Sequence, residues 1–268
     1  MRICPTCQRP YADELAFCPH DGTPLQSNNT PLIGQTFDGQ YEIETLIAQT
    51  RTGQLYRARH TRIDSPVALK IFRPEVRDEV GKWLNRFYRE WEALFKLPDP
   101  NAVAIYNLRA DCMVMEYVEG QTLDKELQQR GRFTLGEVFA VLEPVARTLE
   151  ALGSSGINYD FLTPSDIMIR RAENDLLIVK LLPLLFNRRA FDDNLDAILT
   201  GVGLSAQSGS APYVAPELWG DDAPLDEDNG AVYSLGVICY EMLSGQKPYD
   251  GLTPGEIVQN RLVGQPAP

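Results

Sequence analysis

Residues 159–169 read YDFLTPSDIMI, and the reading of this stretch decides what kind of body surrounds it. It follows a glycine-containing helix end and precedes a run of branched apolar residues. Thr163-Pro164-Ser165 makes a tight turn, and Asp166 sits just after it. That is the shape of a catalytic loop, yet Phe161 stands where such a loop presents its general base.

The elements on either side have a mixed order. YEIETLIA alternates from Tyr41, TRTGQLYRARH turns and returns, and PVALKIF (66–72) is a third short β run. Residues 78–97 place Val80, Trp83, Leu84, Phe87, Trp91 and Leu94 on one helical face. AVAIYNL and CMVMEYV are two further strands, and residues 135–156 form an amphipathic helix ended by glycine. Strands, one helix, two more strands and then a mostly helical region make an α+β order, not a repeating βαβ one.

Composition limits the function. The chain has 268 residues, 44% hydrophobic and 23% charged, which is enough for a sizeable core. A net charge of −12 argues against sequence-independent nucleic-acid binding and against an anionic membrane surface. The most apolar stretch, LLIVKLLPLLF (176–186), is short and carries Lys180 and Pro183. MRICPTC lacks the apolar segment of a signal peptide, so a cytoplasmic protein is expected.

Three of the five cysteines fall in the first 18 residues. Cys4 and Cys7, two residues apart in a Cys-Pro-x-Cys turn, bring two thiolates to one point, half of a tetrahedral zinc site. The other half is Cys18 with either Asp21 or His20. The spacing favours Asp21; imidazole is the commoner partner beside thiolates. A segment this small folds on the energy of metal binding. It looks like a structural zinc ribbon over 1–24, followed by a polar linker over 25–40.

From Tyr41 onward a family resemblance becomes specific. VALK (67–70), VMEYVEG (114–120), APE (215–217) and VYSLGVICYEMLSGQKPYDG (232–251) occur in order and at fitting distances. Residues 41–268 resemble the bacterial eukaryotic-type serine/threonine protein kinases. The resemblance implies a bilobal kinase-like fold behind the ribbon, with an N-lobe over 41–118 and a C-lobe over 119–268. The chain ends soon after the expected αG region, so an abbreviated C-lobe or a piece of a longer protein is expected.

It also assigns roles, position by position. The glycine-rich turn lies over Ala48-Gln49-Thr50-Arg51-Thr52-Gly53, where only the third glycine is present. Lys70 matches the β3 lysine and Glu90 its αC partner. Leu55, Ala68 and Met168 match the adenine pocket, and Glu116 and Val118 the hinge. In the catalytic loop, set in register by Pro164, Tyr159, Asp160, Phe161 and Thr163 replace the histidine, arginine, base and lysine. Asp166 replaces the metal-binding asparagine and is the one change that preserves its chemistry. Pro183 stands at the magnesium aspartate and Ala231 at the αF aspartate. A register shifted by one would put Asp160 at the base. The spine positions Leu94, Tyr159 and Leu184 remain large.

The resulting expectation is a pseudokinase: not an enzyme, with no catalytic residues and no phosphoryl transfer, acting as a regulatory or scaffolding module on an unidentified protein partner. Structural zinc is expected, and ATP and magnesium weakly or not at all. Two rivals stay open: a nucleotide sensor, and an atypical kinase-fold transferase using Lys70 and Asp166.

Overall fold

Period-two alternation over 41–60 builds the first long hairpin of the chain. In the computed structural model, β5 (Tyr41–Gln49) and β6 (Gly53–His60) pair antiparallel. Ile43, Tyr56 and Ala58 point into the core while their neighbours stay more open. The structure describes residues 2–4, 6, 10–11, 15–27, 32–49, 53–74, 77, 99–155, 161–172, 176–183, 210–218, 230–249, 251, 256–257, 259–260, 264 and 266. The helix expected over 78–97 lies outside them, Glu90 and Leu94 included.

The chain divides into two compact units, Met1–Leu84 with Tyr106–Tyr117, and Asn85–Ile105 with Val118–Pro268. In the first unit a small sheet of three strands has β1 (Arg2–Ile3) between β2 (Pro10–Tyr11) and β3 (Gln26–Ser27). The main sheet adds β4 (Thr36–Phe37), β7 (Ser65–Phe72), β8 (Ile105–Leu108) and β9 (Cys112–Glu116), in the order β4-β5-β6-β7-β9-β8. Central β7 buries the consecutive residues Val67, Ala68 and Leu69, as a strand flanked on both edges must. Parts of 25–40 are ordered. Leu25 is buried with Cys4 and Cys18, and Leu32 N donates to the phenolic oxygen of fully buried Tyr56 at 3.2 Å.

The second unit opens with β10 (Gln121–Thr122), α1 (Leu123–Arg130) and α2 (Leu135–Ser154). Two strands follow, β11 (Ile167–Arg171) and β12 (Leu177–Leu181), paired antiparallel with β10 on the outer edge of β11. The last long element among the described residues is α3 (Gly230–Ser244). Leu123, Val141, Val145, Leu162, Ile167, Ile238 and Met242 are the innermost core residues of this unit. Burial of such aliphatic side chains contributes roughly 1.5–3 kcal/mol each.

A capping box sets the start of α2. Thr134 Oγ1 accepts from Glu137 N, and Glu137 Oε2 accepts from Thr134 N at 2.9 Å. Glu137 Oε1 also receives Arg130 at 2.7 Å and Arg171 at 2.6 Å, tying α1 and β11 to the helix. The Thr134 amide, and then the two guanidinium groups, hold the Glu137 carboxyl down to about 2. A depressed carboxylate contributes stability above its unfolded pKa and loses it as pH falls through the folded one. Glu137→Gln is therefore expected to destabilise the protein by about 1 kcal/mol at pH 7. The difference from wild type should vanish as pH falls from about 4.5 to about 2, read by urea unfolding across that range.

Candidate functional site

Residues assigned to a nucleotide site divide between the two units. In the first, Ala48 closes β5 and Gly53 opens β6, while residues 50–52 of the turn lie outside the described residues. A Cβ on Gly53 would lie 1.9 Å from the carbonyl oxygen of Ile71, so the close approach of β7 requires a glycine there. Lys70 stands in β7 between Leu55 of β6 and Met113 of β9. Its Nζ lies 5.7 Å from the centroid of the Phe72 ring. Ala68 is buried opposite Met115, and Glu116, at the end of β9, pairs with Val67. The sheet thus holds Leu55, Ala68 and Lys70 in fixed register.

In the second unit the 161–166 loop is anchored from three directions. Asp166 Oδ2 accepts from the Thr163 amide at 2.8 Å and from its hydroxyl at 2.7 Å, closing the 3-10 turn over Pro164. The Asp166 carbonyl accepts from Leu182 N at 2.8 Å, which fixes the residue next to Pro183 at the end of β12. Met168 pairs with Lys180 on one side and Thr122 on the other. Val118 lies in this unit, two residues before Gly120. Phe161 is half-buried against the Val214, Ala215 and Leu218 cluster. Its ring is part of the packing of the loop. Tyr159, Asp160 and Leu184 lie outside the described residues.

Ser234 was missed by sequence reasoning. Its buried hydroxyl accepts from Leu162 N at 3.0 Å, and Tyr213 O and Gly230 O lie within hydrogen-bonding distance at 2.7 and 3.0 Å. One α-helical turn after Ala231, which stands where the family has its αF aspartate, a neutral hydroxyl holds the loop backbone. The only signal available was a serine within a largely apolar helix, which reads as tolerated helix interior. Ser234→Ala leaves a buried amide and a buried carbonyl without this partner, and is expected to cost about 1–3 kcal/mol in urea unfolding. Asn101 was missed as well: its side chain donates to Val179 O at 2.9 Å and its carbonyl accepts from Leu181 N at 2.6 Å, stapling β12.

A second constellation occupies the start of the chain. Cys4 and Cys18 are buried, and their sulfurs lie with an Asp21 oxygen inside a 4.8 Å cluster, the single such group found among the described residues. Cys4 Sγ is 3.4 and 3.3 Å from the two Asp21 oxygens. The backbone turn explains why they meet. Gly22 N donates to Cys18 O at 2.9 Å, Cys18 N to Thr23 O at 2.7 Å, and Gly22 takes the left-handed φ of 73°. Thr23 N donates to Asp21 Oδ1 at 3.0 Å, and this bond, followed by the Thr23 hydroxyl, holds the Asp21 carboxyl well below the usual range. His20 is exposed, and Cys7 lies outside the described residues. A tetrahedral zinc with sulfur and oxygen ligands sets their separation at about 3.5 Å. The Cys4–Asp21 distances of 3.4 and 3.3 Å match that separation.

The comparisons with known proteins agree on the family. The Protein kinase domain family matches residues 41–265, and the chain belongs to it. It is 29% identical over 241 residues to a probable serine/threonine-protein kinase of Clostridium acetobutylicum, spanning 88% of this chain and 35% of that protein. It is 33% identical over 236 residues to the serine/threonine-protein kinase PknL of Mycobacterium tuberculosis, spanning 87% and 56%. With PknA of the same organism it shares 28% over 249 residues, spanning 89% and 54%. The chain thus covers between 35% and 56% of these relatives' lengths.

These relatives correct one expectation. The chain was read as not an enzyme, yet kinases matching most of its length at 28–33% identity place it in an enzyme family. Phosphoryl transfer passes through a loose transition state and rests mainly on positioning and charge. Loss of a general base lowers the rate by about 10²–10⁴-fold, which is slowing and not abolition. No helix among the described residues is long and apolar enough to cross a membrane.

Proposed function

We propose that this chain is a signalling protein of the serine/threonine kinase family, an atypical phosphotransferase that uses Lys70 and Asp166. The observation that carries the reading is the Asp166 carboxylate, fixed by two donors from Thr163 directly before β11. A carboxylate can accept further ligands through its remaining lone pairs, so one so oriented suits a divalent metal. Lys70, on the central strand β7, matches the family lysine that supplies the cation for the phosphates. Metal, when bound, neutralises developing charge on the transferring group; the chain's own part is to hold the two charges and the strand behind them. With Phe161 at the base position, the acceptor hydroxyl gives up its proton to solvent or to the phosphate itself, and turnover is slow.

The acceptor and the partner are proteins in this reading, and the net charge of −12 supports a protein over nucleic acid or an anionic membrane. Cys4, Cys7 and Cys18, with a fourth group from 20–21, hold a structural zinc, as reduced thiolates of a cytoplasmic protein can. Thermal-shift titration with ATP, with and without manganese, tests the nucleotide part. A metal-dependent rise in melting temperature is expected, and its absence in Asp166→Ala. A metal-independent rise without turnover would overturn the transferase in favour of a nucleotide sensor, and no rise would overturn both.

A further inference from the structure

The two cysteines and the aspartate at the start of the chain are not equivalent. Cys4 and Cys18 are 0% and 3% exposed, whereas the Asp21 side is open to solvent. Asp21 occupies the fourth position of the Cys18-Pro19-His20-Asp21-Gly22 turn, and the turn brings its carboxylate to the rim of the cysteine cluster. Gly22 reverses the chain at φ 73°, Thr23 N holds Oδ1, and Oδ2 lies 3.3 Å from Cys4 Sγ. Thr23 also meets Thr6 across the cluster, hydroxyl to hydroxyl at 3.0 Å, which ties the two turns together. His20 is an exposed residue one position earlier in the same turn.

We infer that Asp21 and not His20 closes the metal site, and that this carboxylate is its exchange door. The inference rests on the zinc reading given above. Thiolates bind zinc through soft, strongly donating sulfur, whereas a carboxylate is a harder and weaker donor. A competing ligand therefore enters where the weak bond faces water, at Asp21, while Cys4 and Cys18 are shielded. The start of the chain is built to give up zinc to a competing chelator and take it back, coupling the order of the small sheet to available metal.

The test uses the full, reduced chain titrated with cobalt(II), whose visible spectrum reports its ligands, and with zinc challenged by a chromogenic chelator. Asp21→Ala is expected to weaken cobalt binding at least about tenfold and to alter the ligand-field bands. His20→Ala should leave affinity and spectrum unchanged. Asp21→Cys should bind metal with a stronger thiolate-to-cobalt band and release zinc at least about tenfold more slowly than wild type. Loss of binding in His20→Ala with Asp21→Ala unaffected overturns the inference while the zinc reading stands. Equal release rates for wild type and Asp21→Cys overturn the exchange role. Failure of the wild type to bind either metal overturns both.

Discussion

Lys70→Met is expected to lower metal-dependent transfer from ATP by about 10²–10³-fold, the loss typical of removing one preorganised charge from a transition state. Lys70 lies on β7, whose backbone is paired with β6 on one side and β9 on the other. Those pairings involve main-chain groups and survive the substitution. Methionine keeps an unbranched apolar stem beside Leu55 and Met113 and removes only the ammonium group. The ATP-free melting temperature should therefore stay within about 4 °C of wild type, since the half-buried stem is kept and the lost contact with the Phe72 ring is worth about 0.5–1 kcal/mol. Initial rates with labelled ATP and manganese provide the check. An unchanged rate would remove Lys70 from the mechanism, and a collapse in melting temperature would recast it as a structural residue.

Gly120→Ala is expected to destabilise the second unit by about 2–4 kcal/mol. Gly120 has a φ of 129°, a region that side chains rarely adopt. A Cβ there would lie 2.3 Å from the carbonyl oxygen of Ile169 and 3.0 Å from its carbon. Both are backbone atoms of β11, whose Ile169 pairs with Gln121 of β10 one residue further on. Relief requires separating β10 from β11, and no side-chain rotation offers a cheaper route. Because β11 begins directly after Asp166 and carries Met168, transfer should fall together with stability. Urea unfolding at pH 7 measures the change; a loss below about 0.5 kcal/mol would show that the strand edge yields.

Much of the architecture was legible because its signals are local. Alternation over 41–60 and the run PVALKIF became β5, β6 and β7, and the capping box at Thr134 and Glu137 set the start of the long helix expected over 135–156. That helix closes at Ser154, two residues short of the expected glycine. The meeting of Cys4, Cys18 and Asp21 was legible for the same reason, since turn chemistry and spacing bring them together. Contacts far apart in sequence were not. Ser234 reaches Leu162 across 72 positions and Asn101 reaches Val179 across 78, and neither residue type carries a pattern that announces such a partner. Phe161 shows the limit from the other side: as a letter it marks a missing base, whereas in the fold it is a packing residue against Val214, Ala215 and Leu218. The relatives place the chain in an enzyme family, which single letters at Phe161 and Pro183 do not decide, because the family's chemistry rests on the placement of charge.

The most direct measurement is single-turnover transfer of the labelled γ-phosphoryl group from ATP in manganese, comparing wild type with Asp166→Ala. Wild type should transfer slowly and only with metal, with the rate falling by about 10²–10³-fold in the variant. Equal rates in the two proteins, or no metal-dependent transfer by wild type, would contradict the assignment of Asp166 and Lys70 as the working residues of an atypical phosphotransferase.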